Sequence, residues 1–222
     1  MSAITKSPFY ENEVVLSFFD TLIYGRDLEL LNGNHWLNDQ IIGFYNEYLE
    51  KFAYADQRTD IALVHPDVVF ACLSVDATSA AEITKDLKLS EKKYVFMPVN
   101  NNGNVQEAGG THWSLLVYHR PENSFFHFDS WSENNLPNAR DLAGVMGAAL
   151  GVSDKPAFAQ RRDVPQQHNG FDCGMYVMCF SELLCGQYLE DRAVDLSDVT
   201  AEFVARKRRK VYDLIIHLRE IM

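Results

Sequence analysis

Two short runs of β-branched and aromatic residues constrain this chain most. They are "HWSLLVYH" at 112–119 and "SFFHFDS" at 124–130, separated by "RPEN". Each has the length and composition of a strand, and the four residues between them read as a hairpin loop. A third run, "KYVFMPV" at 93–99, has the same character. Amphipathic segments surround these strands. In "HWLNDQIIGFYNEYLEKF" at 35–52, Asn38 is a candidate N-cap, Asp39 an acid in the first turn, and Ile41, Ile42, Tyr45, Tyr48, Leu49 and Phe52 recur at helical spacing. Further helices are expected after Pro66, over 80–87, over 138–150, after "DCG" at 172–174, and over "VTAEFVARKRRKVYDLIIHLREI" at 199–221. Helices flanking a central strand cluster define an α+β class.

With 222 residues, 47% of them hydrophobic, the chain can bury a core of its own. No repeat or Pro/Gly/Ser-rich linker divides it, so a single domain over 1–222 is expected, with 1–13 as a flexible extension. The formal net charge of −11 argues against nucleic acid, whose phosphates require a basic face; a basic partner is favoured. No secretory signal and no membrane-spanning apolar stretch is evident. The cysteines, Cys72, Cys173, Cys179 and Cys185, lack CxxC spacing, so neither a metal site nor a cofactor is expected. They read as reduced thiols of an intracellular protein, cytoplasmic or nuclear. The basic run "RKRRK" at 206–210 reads as a solvated helix face.

Chemistry concentrates around Cys173. The turn residues "HNG" precede it and Gly174 follows, which places the thiol in the first turn of a helix, where free N–H groups and the helix dipole favour an anion. A thiol of ordinary pKa needs such help, or an imidazole, to attack as thiolate. His112 opens one strand of the hairpin and Asp129 closes the other, so both fall near one edge of the sheet. Asp129 is placed to accept the imidazole Nδ1–H and stabilise the imidazolium. Gln167, six residues before Cys173, offers an amide to an oxyanion. Gln166 beside it leaves that assignment open by one position.

Together "GGTHWSLLVY", "FFHFDS", "PQQHNGFDCGMY" and "HWLNDQIIGFY" resemble the signatures of the ubiquitin-like-protein-specific cysteine proteases, the sentrin/SUMO protease family, from about Val14 to the C-terminal helix. The resemblance implies a papain-like fold with a central mixed sheet. It also implies that Cys173 is the nucleophile, His112 the base and acid, Asp129 the orienting carboxylate and Gln167 the oxyanion donor. Trp36 and Trp113 would form the lids of a narrow tunnel for a Gly-Gly C-terminus, and Gly174 would leave room for the substrate carbonyl.

The compact chain and the loop "VNNNGNVQEAGGTHW" resemble the deneddylating branch. Asn101 and its neighbours to 107 then become candidate contacts to the modifier's tail, and Asp39 would suit arginines in that tail. The partner implied is the ubiquitin-like modifier NEDD8 and its conjugates, such as neddylated cullins, processed by a monomer. Three alternatives stand beside it: a SUMO or ubiquitin hydrolase, a non-catalytic modifier-binding module, and an acyltransferase, although the sequence has no evident acyl-CoA phosphate site.

Overall fold

The computed structural model describes residues 8–103 and 109–222. Its centre is a five-stranded mixed sheet, in the order β3 (Ile61–Leu63), β4 (Tyr94–Asn100), β5 (Trp113–His119), β6 (Ser124–Phe128) and β7 (Ala157–Arg161), behind a separate hairpin of β1 (Val14–Phe18) and β2 (Thr21–Tyr24). Strands β4, β5 and β6 run antiparallel, while β3 and β7 pair parallel at the two edges. The loop at 120–123 is a 3-10 turn that ends on Asn123 in the left-handed region.

The period-two alternation of the central strands feeds two separate cores. Phe96, Leu115, Val117 and Phe128 face one way. They meet α2 (Asp39–Tyr48), α7 (Cys173–Glu190), α8 (Ala201–Ile221) and the β1/β2 hairpin. Val95, Met97, Val99, Leu116, Tyr118 and Phe125 face the other way, against α3 (Pro66–Leu73), α4 (Ala77–Ile83), α5 (Leu136–Val145) and α6 (Gly147–Leu150). The short helix α1 (Gly25–Glu29) follows β2. The sheet is thus covered on both faces, as its two parallel edge pairings require.

Several boundaries move from their sequence expectation for local reasons. The helix expected over 80–87 starts earlier, because Asp76 caps α4 by accepting from the Thr78 and Ser79 amides at 2.9 Å. A short 3-10 turn then follows at Lys85–Leu87. The segment expected over 138–150 starts at Leu136 and breaks at Met146 into α5 and α6. The extension expected over 1–13 is narrowed: the carbonyls of Glu11 and Glu13 accept from the Arg26 and Gly25 amides, and the Arg219 guanidinium lies over the Phe9 ring. Residues 1–7 lie outside the described part. The "RKRRK" run is helical, but it is not a uniformly solvated face, since Arg208 turns inward and is buried. Among the described residues no helix is long and apolar enough to cross a membrane.

Leu116, fully buried at the centre of the sheet, belongs to the core shared with the second helical layer. Leu116→Ala is expected to lower the unfolding free energy by about 2–5 kcal/mol, read as a shift in the urea midpoint without a change in slope.

Candidate active site

The antiparallel register pairs Leu115 with Phe128, so the residue before β5 and the residue after β6 emerge at one edge. His112 Nε2 lies 2.6 Å from Asp129 Oδ1. The sequence reading has Nδ1 facing the carboxylate; the ring is turned the other way, which leaves Nδ1 as the nitrogen available to Cys173. Cys173 is the first residue of α7 and lines the same cleft as His112.

A tight backbone aims the imidazole. Gly110 has φ +86°, and a Cβ there would fall 1.8 Å from Asn100 Oδ1, so only glycine fits this approach to the histidine. Asn101 Oδ1 then accepts from the amides of Thr111 (2.7 Å) and His112 (3.1 Å). The Asn101 side chain thus pins the loop's return, and beside it Asn100 and Asn102 line the cleft. Of the other expected tail contacts, 104–107 lie outside the described residues.

The carboxylate of Asp129 is held by more than the histidine. Trp131 N–H donates to Oδ1 and Asn135 N–H to Oδ2, both at 2.9 Å. Burial would raise this acid, but the His112 hydrogen bond and charge and the two amides outweigh it, and the pKa falls below the ordinary carboxylate value. Burial likewise opposes a charge on His112. The hydrogen bonds and charges of Asp129 and Cys173 reverse that and lift the imidazole to about 9.

Sequence reasoning missed Asn135. Besides its amide on Asp129, its side-chain Nδ2 donates to the carbonyls of Val99 (2.9 Å) and His112 (3.3 Å), stitching β4, β5 and the loop after β6 together. In "SENNLP" it looks like any turn asparagine ahead of a helix, and nothing local marks it as more.

The two glutamines are now distinguishable. Gln166 is engaged structurally, with Oε1 accepting from Ser132 N–H and Nε2 donating to the carbonyls of Asp129 and Val164. Gln167 is oriented by Ser130, whose hydroxyl donates to Oε1 at 2.8 Å, and one Nε2 hydrogen goes to the Asn169 carbonyl at 2.7 Å. An amide NH₂ has two hydrogens, so one is left for a ligand.

The cleft has a volume of about 460 Å³, and its lining includes Trp36, Asp39, Asp67, His112, Trp113 and Cys173. Both indoles anchor by their N–H: Trp36 to the Gly170 carbonyl, and Trp113 to the Leu37 carbonyl at 3.0 Å. Trp36 remains half exposed. Asp39 shares the wall with Asp67, whose acid is lifted to about 7 by burial and by its hydrogen bond and charge repulsion with Asp39. Gly174 does not face the cleft. A Cβ there would lie 3.0 Å from Leu37 Cβ and 3.3 Å from Ile42 Cδ1, so this glycine allows α7 to pack closely against the start of α2. The other cysteines belong to packing: burial pushes Cys179 up to about 12, and Cys72 and Cys185 also rise.

An imidazole paired to a buried carboxylate, in one cleft with a cysteine at a helix N-terminus, is the working arrangement of a thiol peptidase. Comparison with known proteins makes the class specific, for the chain belongs to the Ulp1 protease family, whose C-terminal catalytic domain matches residues 35–219. It is 40% identical over 208 residues to human sentrin-specific protease 8, covering 92% of this chain and 97% of that one. It is 32% identical to NEDD8-specific protease 1 of Arabidopsis thaliana over 212 residues, covering 95% and 91% respectively. In fold it is similar to the Ulp1 protease domain solved in complex with the yeast ortholog of SUMO. That likeness has a TM-score of 0.72 at 23% identity, with 96% of this chain and 91% of the other covered. The protein is a thiol-dependent peptidase with the Ulp1-type α+β fold.

Because His112 is raised, its charged form is complete below the ordinary imidazole value and is lost as pH passes about 9. Peptidase kcat/KM is expected to fall about tenfold per pH unit above that point. Asp129→Asn, which removes the stabilising charge, is expected to move this limb down by more than one pH unit in the same assay.

Proposed function

We propose that the protein cleaves after the C-terminal Gly-Gly of NEDD8, both to mature its precursor and to release it from lysine side chains of conjugates such as cullins. The observation that carries this reading is the placement of Cys173 and His112 in one cleft that Trp36 and Trp113 also line. A tail with no side chains fits between flat indoles, whereas bulkier residues are sterically refused. The relative named NEDD8-specific protease 1 in Arabidopsis thaliana, similar over 91% of its length, supports NEDD8 among ubiquitin-like modifiers. Asp39 and Asp67 present acid along the same cleft, complementary to a basic tail.

The chemistry follows from the site. With the Cys173 proton already resting on His112 Nδ1, the thiolate attacks the carbonyl carbon of the terminal glycine. The oxyanion that forms meets the free first-turn amides of α7 and the remaining Gln167 hydrogen. His112 returns its proton to the departing lysine amine or peptide N-terminus as the C–N bond breaks, leaving a thioester. A water molecule, losing its proton to His112, attacks that thioester. The modifier leaves as its acid, which ionises to solvent, and the sulfur departs as the thiolate, restoring its pair with the protonated His112. Throughout, Asp129 accepts from Nε2–H and keeps its own charge.

The test compares C-terminal aminomethylcoumarin derivatives of NEDD8, SUMO and ubiquitin. NEDD8 is expected to be turned over with kcat/KM at least a hundredfold above the other two, and Cys173→Ala is expected to abolish turnover. Preference for SUMO or ubiquitin would overturn the modifier assignment, and turnover by Cys173→Ala would overturn the site.

A further inference from the structure

Asp172, immediately before Cys173, occupies the N-cap position of α7 but does not cap the helix. Three other helices use such residues in the ordinary way, whereas Asn135, at the start of α5, is like Asp172 drawn to other partners. The side chain of Asn38 accepts from Ile41 N–H (3.2 Å), that of Asp76 from Thr78 and Ser79, and that of Thr200 from Phe203 N–H (3.2 Å). Aspartate is among the strongest N-caps, so something restrains this one.

The restraint comes from the middle of α8, in the basic run. Arg208 is buried, and its Nη2 donates to Asp172 Oδ1 at 2.7 Å. Its Nη1 donates to the Leu30 carbonyl at 2.7 Å, which fixes the guanidinium from a second side so that it cannot follow the carboxylate. Asn169 Nδ2 donates to Asp172 Oδ2 at 2.8 Å, so both carboxylate oxygens are directed toward these donors. The same Asn169 accepts through its carbonyl from Gln167 Nε2. One network therefore joins α8, the loop after α1, the candidate oxyanion donor and the residue before the candidate nucleophile.

We propose that Arg208 is a positioning residue that holds the Asp172 carboxylate away from the N-terminus of α7. The first-turn amides then remain free for the Cys173 thiolate and for the oxyanion. The inference rests on the reading of Cys173 as nucleophile given above. Without Arg208, the carboxylate is a buried anion short of one donor, and the nearest alternative donors are the N2 and N3 amides of its own helix. Capping them would place a second negative charge beside the thiolate and occupy the groups that stabilise the transition state. A nearby anion that competes for donors acts on the chemical step, not on capture of the modifier.

The full-length chain is assayed with NEDD8–aminomethylcoumarin at pH 7.5, with folding followed by circular dichroism. Arg208→Met is expected to lower kcat about a hundredfold, the scale of losing one oxyanion donor, with KM within threefold of wild type. Removing the carboxylate as well, in Asp172→Ala/Arg208→Met, is expected to recover at least tenfold of that kcat, and Asp172→Ala alone to cost at least tenfold less than Arg208→Met. A merely structural ion pair would lower the melting temperature without this rescue. Normal kcat in folded Arg208→Met, or an Asp172→Ala loss as large as that of Arg208→Met, would overturn the proposal. The second comparison decides the matter even if Arg208→Met does not fold, because Asp172→Ala would then be required to stay within about tenfold of wild type. Cys173→Ala is measured alongside: turnover in that protein would overturn the site reading itself, a result distinct from either outcome for Arg208.

Discussion

The contact on which the site depends is the 2.6 Å hydrogen bond between His112 Nε2 and Asp129 Oδ1, at a sheet edge from which water is largely excluded. A buried imidazolium is costly unless paired, and a buried carboxylate likewise. Each here is the other's compensation, and the carboxylate is further held by the amides of Trp131 and Asn135. The result is a histidine that keeps its charge up to about pH 9 while presenting Nδ1 to the proposed nucleophile. Turned over, with Nδ1 toward Asp129, the same ring would reach the cysteine through its other nitrogen and from a different angle.

The fold serves that bond. An antiparallel β5/β6 pair brings a strand start and a strand end to the same edge, and Gly110 lets the preceding loop approach Asn100 closely enough to set the histidine. On the far side of the cleft, α7 delivers Cys173 with its helix N-terminus pointing at the sulfur. Gly174 permits this by letting α7 close on Leu37 and Ile42. The substrate walls are tied to the same parts, since Trp113 directly follows His112 and Trp36 bonds the loop that leads to Cys173. Cleft and chemistry are therefore built on the same backbone segments.

Much of this was legible in the sequence because it is local. The hairpin runs, the Asn38 cap and the apolar faces of the long helices are set by period and by turn residues, and the relative placement of His112 and Asp129 follows from hairpin geometry alone. The short edge strands β3 and β7 left no alternation to read. Ile61–Leu63 is buried throughout, and Ala157–Arg161 is nowhere fully buried. What depends on long-range packing was read incorrectly or missed. Gly174 was assigned to the substrate, yet its neighbours come from residues 37 and 42. Asn101, expected at the tail, carries a local role that no spacing rule showed, in its bonds to Thr111 and His112. The imidazole's orientation, the hub at Asn135 and the inward turn of Arg208 depend on partners that no spacing rule connects.

The central claim is that the pairing with Asp129 and Cys173 keeps His112 charged at neutral pH. It is tested most directly by nitrogen NMR of the protein with ¹⁵N-labelled histidine ring nitrogens at pH 7.5. The account predicts that both His112 nitrogens carry protons in the wild-type protein, and that in Asp129→Asn the ring becomes predominantly neutral. A neutral wild-type His112 ring with one unprotonated nitrogen at that pH would contradict it.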